Sequence, residues 1–192
     1  MELLTARMTE KRIEPDLLAV SSRRSEREMF ESLYIENQKR VYSIALNFFG
    51  GNEQTAKDIT QQVFLKMFTS LENFRGDAEI TTWLYRVTVN ACVDEQRKAR
   101  RFVFLADIFG EFRAGKTQDE KVERRELSDE VQKAVATLKT KFRLPILLKY
   151  SEGLSYEEIA KILDCSTGTI ASRLNRGHKM LAQKLRHLEN EI

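Results

Sequence analysis

Proline is nearly missing from this chain. Pro15 and Pro145 are the only two among 192 residues, so long helices are permitted almost throughout. Cysteine is as scarce. Cys92 and Cys165 each fall within a helical pattern or its turn, and they read as small apolar residues rather than a disulfide or metal site. His178 and His187 are the only histidines, both in the basic last segment. No acidic motif has ligand spacing. A metal-assisted or acid–base active site therefore has no candidate, and neither enzymatic activity nor a cofactor is expected. No apolar run is long enough to cross a bilayer. The opening MELLTARMTEKRIEPDLL carries acids and lacks the apolar core of a secretion signal, so a cytoplasmic location is expected. Internal repeats, low-complexity tracts and alternating strand patterns are also absent.

What is present is charge and helical periodicity. Hydrophobic residues make up 42% and charged residues 32%, and the net charge of +3 hides strong local clustering. Residues 1–26 read as a polar tail. From residue 27, Phe30, Leu33, Tyr34, Val41, Ile44, Ala45 and Phe48 recur at three and four, and Gly50-Gly51 supplies a C-cap. Ile59, Val63, Phe64, Met67, Phe68 and Leu71 mark a second helix. Ile80, Leu84, Val87 and Ala91 mark a third, ending in the basic run 96–101. Residues 102–126 read as a linker, apolar at first and then solvated. Periodicity resumes with Leu127, Val131, Val135 and Leu138, and a helix over 143–150 follows, with Pro145 expected in its first turn. The expected fold is all-α, with two small helical domains (27–101 and 127–192) joined by a flexible linker.

The most informative stretch is LSYEEIAKILDCSTGTIASRLNRGHKMLAQKL, residues 154–185. Ser155 and Glu158 have capping-box spacing. Ile159, Ala160 and Leu163 form an inward stripe. Asp164, Cys165 and Ser166 break it, and Ser166 or Thr167 can cap a second helix carrying Ile170, Leu174, Leu181 and Leu185 inward. Its other face bears Thr169, Ser172, Arg173, Asn175, Arg176 and Lys179. This is the pattern of a helix-turn-helix whose second helix enters a DNA major groove. A solvated basic face on a bundle is the plainer reading. Arginine suits a guanine edge, whereas Lys179, farther along, suits a phosphate.

Two other groups stand out. Phe74-Arg75-Gly76-Asp77 precedes a helix bearing Trp83, Tyr85, Arg86 and Asn90, then Arg97, Arg100 and Arg101. Aromatics beside cations suit an unpaired base and its backbone, yet Trp83 and Tyr85 could equally be core residues. Asp58, Gln61 and Gln62 lie on the outer side of the second helix, where a merely solvated face is the ordinary reading.

Taken together, DITQQVFLKMF, FRGDAEITTWLYRVTVN with its basic run, and GLSYEEIAKILDCSTGTIASRLNRG resemble the extracytoplasmic-function bacterial sigma factors, sigma-E-like. These are small two-domain promoter-specificity subunits of RNA polymerase. The resemblance covers about residues 27–101 and 127–188. It implies that Asp58, Gln61 and Gln62 dock on the clamp helices of the β′ subunit, and that the second domain meets the β flap. It implies that Phe74, Tyr85 and Asn90 line a pocket for a flipped minus-ten base, flanked by Arg75 and Trp83. Arg86, Arg97, Arg100 and Arg101 would then hold the backbone. Thr169, Ser172, Arg173, Asn175, Arg176 and Lys179 would read the minus-thirty-five element from a region-four helix-turn-helix without a wing. It also implies an anti-sigma factor as partner and no membrane insertion. Gln62 stands where an acid is usual in the family. Ala171 stands where a basic residue is common, and Asn175 is also atypical. One tryptophan, Trp83, stands where housekeeping relatives carry two in tandem, which implies weaker duplex melting. The rival class is a stand-alone helix-turn-helix regulator that dimerises through its N-terminal module.

Overall fold

The computed structural model describes residues 27–71, 80–109 and 123–186. Among them are seven helices and no strand: α1 (27–48), α2 (Glu53–Leu71), α3 (Ile80–Phe109), α4 (Glu123–Thr137), α5 (Thr140–Tyr150), α6 (Tyr156–Leu163) and α7 (Thr167–Lys184). The first three form one unit. Val41, Ile44, Ala45 and Phe48 of α1 are buried with Ile59, Val63, Phe64 and Met67 of α2 and with Leu84, Val87 and Cys92 of α3. The Val, Ile, Leu, Phe and Met side chains among them contribute about 1.5–3 kcal/mol each by leaving water. Tyr34, Phe68 and Val131 were expected inward but are each more than a third exposed. They sit at the edges of their apolar stripes. Phe68, for example, has its ring edge-on to Phe30 at 5.2 Å but remains 54% exposed.

The caps follow the local sequence. Gly50 and Gly51 adopt left-handed φ values of +63° and +91°, and the Gly51 N–H donates to the Leu46 carbonyl at 2.9 Å. A second constraint also acts at Gly50, where a Cβ would stand 2.9 Å from Ala136 Cβ on α4. Asn52 starts α2, its Oδ1 accepting from the Thr55 N–H at 3.0 Å. α3 does not stop at the basic run but continues to Phe109. From Ile80 to Phe109 there is no glycine or proline, and Asp94–Arg97 and Glu95–Lys98 pairs at 3.4 and 3.5 Å lie along its surface. Residues 102–109 and 123–126 of the expected linker are thus helical.

In the second unit α5 is central. Every residue from Phe142 to Leu148 is buried, so this helix shows no polar face over that span. Pro145 lies in its second turn, not its first as expected. The ring costs the Lys141 carbonyl its helical donor. Complete burial of Pro145 offsets this, and the Phe142 and Arg143 N–H groups tie the turn before it to the Lys139 carbonyl at 2.8 and 3.1 Å.

The expected capping box is present. The Ser155 N–H donates to Glu158 at 2.7 Å, and the Glu158 N–H donates to Ser155 Oγ at 3.2 Å. Asp164, at φ 49°, closes α6, and Ser166 rather than Thr167 caps α7. The inward stripe of α6 is Ile159, Ala160 and Ile162, with Leu163 half-buried. Gly177 on α7 admits Ile146, which would lie 2.6 Å from an added Cβ.

Arg143 joins the two units. It is 4% exposed, donates to the Phe48 carbonyl at 2.9 Å and the Leu138 carbonyl at 2.8 Å, and lies 4.6 Å over the Phe48 ring. These carbonyls sit at the C-terminal ends of α1 and α4, where a cation is favourable. Burial lowers its pKa, but a guanidinium stays charged. Arg143→Ala is expected to cost about 3 kcal/mol in urea unfolding, since it strands two buried carbonyls; a loss below about 1 kcal/mol would contradict this role.

The Ser155 N–H, and then its hydroxyl, hold the Glu158 carboxyl below its ordinary range. A depressed folded-state pKa stabilises above the unfolded value and is lost as pH falls through the folded one. Glu158→Gln should therefore flatten the acid side of a Tm-against-pH profile. An unchanged slope would count against the box.

Candidate nucleic-acid and partner interfaces

The recognition helix is positioned by burying Ile170, Leu174 and Gly177 against the rest of its unit. This turns Ser172, Asn175, Arg176 and Lys179 to solvent. Arg173 is half-buried, with Nη1 3.7 Å from Cys165 Sγ, and Thr169 Oγ1 lies 2.9 Å from the cap oxygen of Ser166. Two of the six residues expected to read DNA are therefore partly engaged within the turn. Ser166, Thr169, Ser172, Arg173 and Arg176 line a cleft of about 440 Å³ together with Lys141. Sequence reasoning missed Lys141, whose place depends on how α5 crosses α7.

On α3, Trp83, Arg86, Asn90 and Arg97 follow one side at intervals of three, four and seven residues. Trp83 is half-buried against the core, while Arg86, Asn90, Arg97, Arg100 and Arg101 are exposed. Phe74 and Arg75 lie outside the described residues. Tyr85 turns the other way. It is buried, donates its hydroxyl to Glu152 at 3.2 Å, and has Arg40 5.7 Å over its ring. The structure thus groups Arg86 with Asn90 and leaves Tyr85 apart. Arg86 and Asn90 share a second cleft, of about 430 Å³, with Arg173 and Lys141. Arg86 is not idle, because Nε and Nη2 both donate to the Lys161 carbonyl, at 3.1 and 2.6 Å.

On α2, Asp58, Gln61 and Gln62 are all exposed on one stripe, and Asp58 accepts from Gln54 Nε2 at 3.1 Å. Leu65 continues the stripe and is 67% exposed. Leu65 was not singled out from sequence, although it falls off the apolar spacing of α2.

Burial, then the nearby Glu152 carboxylate, pushes the Tyr85 phenol up to about 12. Burial also raises the Glu152 carboxyl, against the opposing effects of Tyr85 and Arg40. Among the described residues no His, Cys, Asp or Glu group could hold a metal ion, and no helix is long and apolar enough to cross a membrane.

Two family models match the chain: Sigma-70 region 2 over residues 33–102, and Sigma-70, region 4 over residues 128–181. The RNA polymerase sigma-H factor of Pseudomonas aeruginosa is 30% identical over 178 residues, 88% of this chain and 92% of that protein. The ECF RNA polymerase sigma-E factor of Escherichia coli K12 is 30% identical over 175 residues, covering 86% and 91%. ECF RNA polymerase sigma factor SigW of Bacillus subtilis is 28% identical over 176 residues, covering 86% and 94%. The sigma factor RpoE, solved with the anti-sigma factor NepR from Bartonella quintana, shares the fold at TM-score 0.66 and 24% identity, covering 83% of this chain and 98% of that one. CnrH, solved with the cytosolic domain of CnrY, does so at 0.62 and 23%, covering 84% and 90%.

Spectrophotometric titration should show one tyrosine ionising near 12. Glu152→Ala should lower that value. Five tyrosines all titrating at the ordinary value near 10 would mean that Tyr85 does not face Glu152 from a buried site.

Proposed function

The chain belongs to the extracytoplasmic-function sigma factors of bacterial RNA polymerase, and from that premise we propose how its surfaces divide the work of promoter-directed transcription initiation. The stripe of Asp58, Gln61 and Gln62, extended by Leu65, docks on the clamp helices of the polymerase β′ subunit. The β flap holds the second unit. Trp83, Arg86 and Asn90 face the minus-ten element, with Arg97, Arg100 and Arg101 along its backbone. Phe74 and Arg75 complete the pocket for a flipped base, whereas Tyr85 stands apart, bonded to Glu152. Thr169, Ser172, Arg173, Asn175 and Arg176 read the minus-thirty-five element, and Lys179 holds a phosphate. The domains are 27–101 and 127–192, with 102–126 joining them. The work is cytoplasmic and needs no chemistry from the chain itself. The sigma factor RpoE was solved with the anti-sigma factor NepR, which supports a partner of that kind here.

One observation carries this reading. α7 stands on a fully capped turn with its polar and basic side outward, while α2 in the other unit keeps an uncovered stripe for a large partner. Each DNA contact is weak alone. Mounting both on one polymerase raises their effective concentration without any new contact. Flipping a base costs a few kcal/mol, which the pocket offsets.

Run-off transcription with core polymerase and a promoter library tests the proposal. Asp58→Arg should abolish association with core while the Tm stays unchanged. Arg173→Ala should lower transcription about 5- to 150-fold from promoters that keep the preferred minus-thirty-five base, and less from the others. An equal fall at all promoters, or tight operator binding without polymerase in a gel shift, would favour the stand-alone regulator.

A further inference from the structure

Asn175 weakens the helix it belongs to. It stands in the middle of α7, away from both caps, and asparagine is a poor residue for a helix interior because its amide competes for backbone partners. Here it makes no such bond. The residue is exposed, and among the described residues neither its amide oxygen nor its amide nitrogen has a partner. A residue that breaks a local rule with no local compensation is expected at a functional position.

Its neighbours define what it faces. α7 buries Ile170, Leu174 and Gly177, and at about 100° per residue this turns Ser172 and Lys179 squarely outward. Asn175 lies on one flank of that line. Arg176 lies on the other, beside Thr169 and Arg173 in the cleft of about 440 Å³. Helical side chains lean toward the N-terminus, so Asn175 leans over the residue one turn earlier. That residue is Ala171, also exposed, whose methyl group leaves the approach open. On this flank α7 can come close to a base edge, which a side chain as short as asparagine requires.

The chemistry of the amide selects one base. It presents one acceptor and one donor side by side. In the major groove adenine offers the matching pair, the N7 acceptor and the N6 donor. Guanine offers two acceptors, N7 and O6, which would set the asparagine oxygen against another oxygen. Thymine offers an acceptor and a methyl group, and cytosine a donor alone. Only adenine satisfies both halves of the amide.

We infer that Asn175 makes α7 select an adenine in the minus-thirty-five element, through paired hydrogen bonds to its major-groove edge, with Ala171 as the positioning residue that lets it reach. This rests on the promoter reading proposed above and adds a base identity to it.

The test is run-off transcription by the full chain with core polymerase, from promoters carrying each of the four bases at each position of the minus-thirty-five element. With the unaltered chain, at least one position should favour adenine by about 5- to 150-fold. Asn175→Ala should erase that preference at one such position, bringing the adenine promoter down to the level of the other three, with the preferences elsewhere kept. Its Tm should not fall, since alanine suits a helix interior better. Ala171→Leu should blunt the same preference and no other; an unchanged preference would overturn its positioning role. The adenine readout is overturned by an element with no adenine preference, by a preference that survives Asn175→Ala, or by an equal loss at every promoter. An unaltered chain whose transcription ignores the minus-thirty-five element altogether would overturn the promoter reading itself, and this inference with it.

Discussion

A single buried cation sets the arrangement on which the rest depends. Arg143 comes from α5, the most enclosed helix, and reaches the carbonyl ends of α1 and α4 at once. A guanidinium taken out of water is costly unless its donors are used. Here Nη1 and Nη2 are used and Nε is not, so the staple is incomplete on one side. That one residue lies against the first unit while belonging to the second.

The interface so formed adds polar contacts to a buried apolar cluster that runs through both units. Within each unit, buried aliphatic and aromatic side chains hold the helices. Between the units, the named contacts are arginine to carbonyl, carboxylate to phenol and amide to amide.

Much of this was legible in the chain, and the misses have physical causes. The helix-turn-helix was readable because its signals are local: Ser155 and Glu158 within one turn, Ser166 at the next helix start, Ile170 and Leu174 beyond. The amphipathic cores of α1, α2 and α3 were readable from their spacing. The extension of α3 to Phe109 was hidden because apolar and charged residues there mimic a linker, although no glycine or proline interrupts them. Pro145 was misplaced because burial of all its neighbours, a tertiary fact, supports it in the second turn. Lys141, Glu152 and the Lys161 carbonyl have no sequence signal at all. They matter only because of how one unit lies on the other.

The central claim is that this chain works as a sigma factor whose two helical units meet separate promoter elements at once while mounted on core polymerase. Donor and acceptor dyes at Lys39 and Lys184, both exposed and outside every surface described, would report this by energy transfer. The account predicts high transfer in the free chain and near-complete loss in a transcribing complex with core polymerase and promoter. Transfer that stays high in a complex shown to make transcript would contradict it.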